Sequence, residues 1–376
     1  IGVGLQGSVG QFMPTALEPA FRGNAVLAGS VLLPGGDRPV AVETLFLETG
    51  AVKLDISGTI DPAGDDTALN ASVRTPSGVV EMLRLASGPV NIADLQLDGS
   101  LSGSLGNPQW TLSGRSPQIT LGSESVTDIR LTGASKAVEG GLSGFALNLS
   151  TVLASNRTAA WMASLRGPVE AALTGTYGAG QPLAIRSVDL SVAAGQVGIS
   201  GVIRPLDGIF DTETDMRLSA LATGNSALDG LLSNPANLSG RIARASRQAP
   251  ISLSGLQIST PALSATLDGT FDDDGIDIRS DGRLLDLTRL ARNAGGEISF
   301  QAALTGQTDR PDLSLKAGGT NLTLSGKPFE NATLAFDGRL DPASPSGSFS
   351  LNGQYDRLPV DVGFSVQTQN DGTRTL

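Results

Sequence analysis

The sequence predicts an all-β fold, an elongated repetitive β-sheet with a few short helices, and three observations predict it. Apolar and polar residues alternate over short runs. Over 358–366, Leu358, Val360, Val362, Phe364 and Val366 share one face, while Pro359, Asp361, Gly363 and Ser365 take the other. The strand pair at 39–60 also comes back twice. A shift of about 143 residues lays Pro39 on Pro182, Leu47 on Leu190, Ile56 on Ile199 and Gly58 on Gly201, and one of about 211 lays them on Pro250, Ile258, Leu267 and Gly269. Finally, 101–131 overlies 304–334 without a gap, pairing Gly103 with Gly306, Pro108 with Pro311 and Leu112 with Leu315. These matches predict one array over 1–376, with repeat units near 39–103, 182–240 and 250–304 and related strands at 101–134 and 304–336.

Taken in order, 1–11, with glycine at positions 2, 4, 7 and 10, reads as a short irregular strand. The stretch 21–33 reads as a strand closed by the turn sequence Pro34-Gly35-Gly36-Asp37. The pair at 39–60 follows, broken at Gly50-Ala51, then a turn over 61–65 and a strand over 69–74. From Ser77 the period changes: Val79, Val80, Met82, Leu83 and Leu85 fit a short amphipathic helix ended by Gly88-Pro89. The stretches 225–232 and 284–293 read as two more, all three placed as caps over one end of the sheet. The remaining apolar runs, among them 92–97, 145–153, 251–258, 298–304 and 358–366, read as strands. Polar residues such as Lys53, Asp55, Asp189 and Asp361 interleave with the apolar ones, so one face of the sheet is wet. That pattern suits two packed sheets, or a single long sheet folded along its length around a lined groove.

Hydrophobic residues make up 40% of the chain but aromatics only 4%, so Leu, Val, Ile and Ala must line whatever the sheet encloses. The net charge is -11 and Lys and Arg are scattered singly, which argues against nucleic acid as a partner. Cysteine and histidine are both absent. Their absence removes disulfides, thiolate metal sites, cysteine nucleophiles, histidine triads and the commonest zinc ligands, so neither an enzyme nor a cofactor is expected. No apolar run reaches membrane-spanning length and the chain starts at Ile1, so any membrane anchor is expected outside this stretch.

Two clusters invite sharper chemistry. Asp272-Asp273-Asp274-Gly275 suggests calcium, but counting back from Gly275 puts Thr270 first and Asp281 twelfth, a poor match to an EF-hand loop, and a solvated hairpin turn is the better reading. Asp211 and Glu213 have the look of a glycosidase pair. The aromatics Trp110, Trp161, Tyr177 and Tyr355 are too dispersed for a sugar platform, however, and the tryptophans read as fillers at strand ends.

With the repeated strand pairs, the Gly-x-x-x-x-Pro strand starts (Gly103/Pro108 and Gly306/Pro311) and the absence of Cys and His, the chain resembles the TamB-like proteins of the bacterial cell envelope. These belong to the AsmA-like, bridge-like lipid-transfer group, and the resemblance covers essentially the whole chain. It implies a β-taco, a gutter-shaped sheet with a hydrophobic groove, in the periplasm, held to the inner membrane by an anchor outside this stretch. It also implies phospholipid acyl chains as cargo, an outer-membrane β-barrel assembly partner of the TamA or BamA type, and a link to autotransporter assembly. Roughly 20–25 strands at about 4.8 Å would make a groove on the order of 100 Å long. The lining is expected from Leu45, Leu47, Leu54, Ile56, Leu95, Leu97, Phe145, Leu147, Val188, Leu190, Val197, Ile199, Ile258, Leu267, Phe300, Phe336, Val360, Val362 and Phe364. The rival expectation, drawn from acidic charge and abundant Gly, Ser, Thr and Asn, is a secreted parallel β-helix adhesin or passenger domain without a groove.

Overall fold

Short alternating runs punctuated by Gly, Pro, Asn and Asp leave little sequence for anything but strands, and the computed structural model is built from them. It describes residues 1–8, 13–34, 38–62, 64, 66–85, 88–122, 124–155, 165–178, 181–219, 226–231, 235–341, 346–368 and 374–375. Contacts group the chain into two units, Ile1–Ala193 and Ala194–Leu376.

Unit 1 contains β1 (Gly2–Ser8), β2 (Asn24–Leu32), β3 (Val40–Glu48), β4 (Lys53–Ile60), β5 (Thr67–Arg74), β6 (Val79–Leu85), β7 (Gly88–Ala93), β8 (Gln96–Gly103), β9 (Gln109–Leu121), β10 (Glu124–Val138), β11 (Leu142–Ser155), β12 (Gly167–Gly178) and β13 (Gln181–Val192). Neighbours in sequence pair antiparallel, except that β5 skips to β8, while the β6–β7 hairpin lies beyond the end of β8 with β7 on β9. Unit 2 contains β14 (Gly195–Arg204), β15 (Ile209–Leu218), β16 (Ala236–Arg244), β17 (Ile251–Ser259), β18 (Leu263–Phe271), β19 (Ile276–Leu284), β20 (Ala294–Gln307), β21 (Arg310–Leu324), β22 (Lys327–Arg339), β23 (Ser346–Tyr355) and β24 (Leu358–Thr368), each antiparallel to the next. The all-β expectation holds. The parallel β-helix does not, because its coils would set each strand parallel to its neighbours.

One of the three expected helices forms, and a second shrinks to a single 3-10 turn. Helix α1 (Ser226–Leu231) lies within 225–232, whose end residues Asn225 and Leu232 are outside the described residues, and Leu287–Arg289 makes a 3-10 turn within 284–293. The third expectation is overturned: 79–85 is strand β6. Its apolar run is too short for periodicity to separate helix from strand, and Val79, Val80 and Leu83 find rungs opposite Ala93, Ile92 and Val90 of β7. Conversely, Glu18–Phe21 forms a 3-10 turn, helped by the fixed φ of Pro19, so β2 starts only at Asn24. The run 92–97 also breaks, at Asp94 (φ 41), between β7 and β8. The first strand, expected to be irregular, pairs regularly with β2 from Gly2 to Ser8.

The sequence repeat is a repeat of structure. In the β3–β4 turn, the Thr49 hydroxyl accepts from the amides of Ala51 (3.3 Å) and Val52 (3.0 Å) and donates to the carbonyl of Ala20 (2.7 Å) in the preceding 3-10 turn. In the β17–β18 turn, Thr260 accepts from Ala262 (3.1 Å) and Leu263 (2.9 Å) and donates to Leu231 (2.7 Å) at the end of α1. One hydroxyl thus ties a hairpin turn to a short helix in each unit. Thr260→Val keeps the shape but leaves these buried partners without hydrogen bonds, and is expected to cost about 1–3 kcal/mol by urea unfolding. An unchanged midpoint would remove the tie from the account.

The matched glycines are alike as well. Gly58, Gly201 and Gly269 have φ of +133°, +139° and +147°, and a Cβ on each would fall 2.0, 2.2 and 2.0 Å from a carbonyl oxygen of the next strand. Only glycine allows that approach. The second register repeats a bulge: Asp128 in β10 and Asn331 in β22 both turn to positive φ, 53° and 52°, where the ladder slips. The two offsets differ because unit 1 carries the β6–β7 hairpin where unit 2 has the Leu287–Arg289 turn.

An uncovered apolar face as the candidate functional site

Antiparallel rungs carry side chains of facing residues to the same side, so the registers assign every strand residue to a face. In unit 1 one row runs through Leu5, Leu27, Leu47, Leu54, Val73, Leu97, Gly114, Leu131, Leu149, Ala171 and Leu190. Beside it runs Leu45, Ile56, Ala71, Gly99, Leu112, Gly133, Leu147, Leu173 and Val188, and Phe145 stands in the row beyond. In unit 2 the corresponding row is Val197, Met216, Leu238, Ile258, Ala265, Gly282, Phe300, Ala317, Leu334, Leu351 and Val362. Its neighbour contains Ile199, Leu267, Phe336, Phe349 and Phe364.

The expected lining residues therefore gather on one apolar face within each unit. Val360 lies on the same side as Val362, two residues on, and Leu95 sits in the break before β8, in phase with Leu97. The opposite face reads Asp55, Ser72, Asp98, Ser113, Thr132, Asn148, Ala172 and Asp189 in unit 1.

Little covers the apolar face. The buried apolar set is mostly alanine, with Leu256, Leu287 and Leu322 its only leucines among the described residues, and most row side chains are half-buried. At the outer strands Leu5 is 63% exposed and Phe364 46%. The accessible surface is 21404 Å². A compact chain of this mass would show about 14,000 Å², and two separate compact halves about 17,000 Å². In unit 2 a small core forms where Leu287, in its 3-10 turn, packs with Leu322 and Ala332 beside Leu284, Ile298 and Phe329. The turn closes one margin of the face only.

Unit 1 curls towards its apolar side. The Tyr177 hydroxyl, on β12, donates to the carbonyl of Pro108, just before β9, and lies 3.0 Å from Ser135 Oγ. Three flat strand spacings are about 14 Å, longer than a tyrosine side chain, so β9–β12 bend to bring that end together. Ser143 on β11 donates to Asn107 Oδ1 (2.6 Å), and the rings of Trp110, Phe145 and Tyr177 pack successively at tilted angles, with centroids 6.4 and 6.2 Å apart, on the same face. Trp110 is thus a structural filler, as expected, while Trp161 lies outside the described residues.

The depressions found on unit 2 lie on its polar face. One of them, about 1040 Å³, crosses β18 to β23 between the row Ser264, Arg283, Ser299, Gly318, Thr333, Asn352 and the row Thr266, Asp281, Gln301, Lys316, Ala335, Ser350. Sequence reasoning missed this trough, since curvature is not written in alternation. Elsewhere that face neutralises itself. Arg241 forks onto Asp211 (2.6 Å to each oxygen) and Arg339 onto Asp312 (2.9 and 3.2 Å). Hydrogen bonding from these guanidinium groups holds both carboxyls below their ordinary range. Asp211 therefore stays ionised beside Arg241, as befits surface charge rather than an acid catalyst.

The aspartate run is a closed hairpin turn: Asp272 Oδ1 accepts from the amides of Asp274 (3.0 Å) and Gly275 (2.8 Å), and the Asp272 amide bonds the Gly275 carbonyl. Among the described residues no group of three or more potential ligands gathers for a metal ion, and no helix is long and apolar enough to cross a membrane. Comparison of the chain with protein-family models, curated proteins and solved structures finds no match.

Proposed function

We propose that the apolar face of each unit binds lipid acyl chains, and that the chain is a segment of a periplasmic bridge carrying phospholipid between the inner and outer membranes. The observation that supports this reading is the set of apolar rows crossing eleven strands in each unit with no second layer over them among the described residues. An acyl chain laid along such a row is held by burial alone, at about 0.8 kcal/mol per methylene, and every rung offers much the same grip. Near-equal sites let a ligand slide. The reading involves no catalytic step. The barrel partner in the outer membrane, the link to autotransporter assembly and the anchor in the inner membrane come from the resemblance to TamB-like proteins and are proposed with it.

A photoreactive amino acid placed at Leu190, Ile199 or Phe364 in living bacteria is expected to capture phospholipid. At Asp189, Ser200 or Asp361, one, one and three residues away on the polar face, it should not. Equal labelling of both sets, or none in a folded protein, would move the ligand away from the apolar rows.

A further inference from the structure

We propose that the trough on the polar face of unit 2 binds a small anionic sugar, a polyol bearing one phosphate or carboxylate. Several strand arginines elsewhere in unit 2 are matched: Arg217, Arg241, Arg279 and Arg339 each stand within ion-pair distance of an aspartate. Arg283 and Lys316, which rise from β19 and β21 into the trough, form no ion pair among the described residues, although Asp281 lines the same trough. The acid between them, Asp281, instead accepts a hydrogen bond from Gln301 Nε2 at 2.9 Å. Ser299 faces Arg283 across one rung and Gln301 faces Lys316 across another, so the two cations flank a strand that carries only a hydroxyl and an amide there.

Two strand spacings and an offset of two residues along the strand put their backbones about 12 Å apart, a gap that two long cationic side chains can close around a single oxyanion. The floor is the row Ala265, Gly282, Phe300, Ala317 and Leu334, whose side chains belong to the apolar face, and the polar rows beside it supply hydroxyl and amide groups, which match a polyol's mixed donors and acceptors. No aromatic side chain projects from this face of the trough, so the ligand is held by charge and hydrogen bonds rather than by stacking. The site lies on the opposite side of the sheet from the apolar rows, and its occupancy does not depend on lipid.

Calorimetric titration of the whole chain at low salt tests this, with D-glucose 6-phosphate and D-glucuronate as probes and D-glucose and inorganic phosphate as controls. At least one anionic sugar is expected to saturate at one per chain, and both controls to bind at least tenfold more weakly. Arg283→Gln and Lys316→Gln should each weaken binding tenfold or more, with Lys316→Arg retaining it and Arg217→Gln leaving it unchanged. Circular dichroism of each variant verifies the sheet. Failure of both sugars to saturate overturns the proposal, as does binding indifferent to Arg283 and Lys316. Inorganic phosphate binding as tightly as the sugars would mean an adventitious ion only, and would overturn it too.

Discussion

Valine in place of Gly269 is expected to unfold unit 2 under conditions where the parent chain is folded. The position combines φ of +147° with a Cβ direction ending 2.0 Å from the Asp277 carbonyl oxygen and 2.7 Å from Ile278 Cα. Both obstacles are backbone of the neighbouring strand, which cannot rotate away as a side chain would. Strain and overpacking together should cost on the order of 3–5 kcal/mol, a large part of a typical domain's stability. Gly58→Val and Gly201→Val, in the matched positions, should cost as much. Gly363→Ala is the control, since its nearest neighbour would be 3.8 Å away and its φ is ordinary, and it should change stability by less than about 0.5 kcal/mol. Urea unfolding followed by circular dichroism decides. Equal midpoints for Gly269→Val and Gly363→Ala would mean that the close approach is not a constraint on the fold.

Ile258→Asp is expected to leave the sheet standing and empty it of lipid. Ile258 sits in the apolar row between Leu238 and Ala265, half-buried by its neighbours but with no layer above it among the described residues. A carboxylate there stays hydrated, so stability should fall by only about 1–2 kcal/mol, the packing of one aliphatic side chain. Forcing as few as two methylenes of a bound chain back into water costs about 1.6 kcal/mol, so lipid recovered with the protein should fall about tenfold. Gln257→Asp, on the other face, should change neither quantity. If Ile258→Asp unfolds the protein, the face is covered by something that would bury the charge. If lipid is retained, the ligand does not lie on this row.

Much of this was legible in the sequence because strand alternation has no slack: once Leu47 and Leu54 face each other across a rung, Leu45 and Ile56 must share their side. The same logic placed Val188 and Leu190, or Ile258 and Phe300, without any view of the structure. The repeat was legible for a related reason. Gly58, Gly201 and Gly269 recur because the backbone needs them, and Thr49 and Thr260 recur in turns that need a hydroxyl, although the latter match was open to view and went unread. What escaped was set by partners rather than by pattern. Strand β6 owes its conformation to β7, the trough to the curvature of six adjacent strands, and the curl at Tyr177 to a single hydroxyl finding the carbonyl of Pro108.

The β6–β7 hairpin of unit 1 stands where unit 2 has only a 3-10 turn, and the strands on either side keep their registers in both. A hairpin returns the chain to the edge it left, with direction and side-chain phase unchanged. Length in such a chain is therefore quantised: whole hairpins can be gained or lost, whereas one residue added within a strand would turn every later side chain of that strand to the wrong side. The exceptions are bulges, among them the matched pair at Thr127/Arg130 and Glu330/Thr333, where a spare residue is already absorbed. Two such bulges at matched places make them the natural points at which this architecture can accept an odd number.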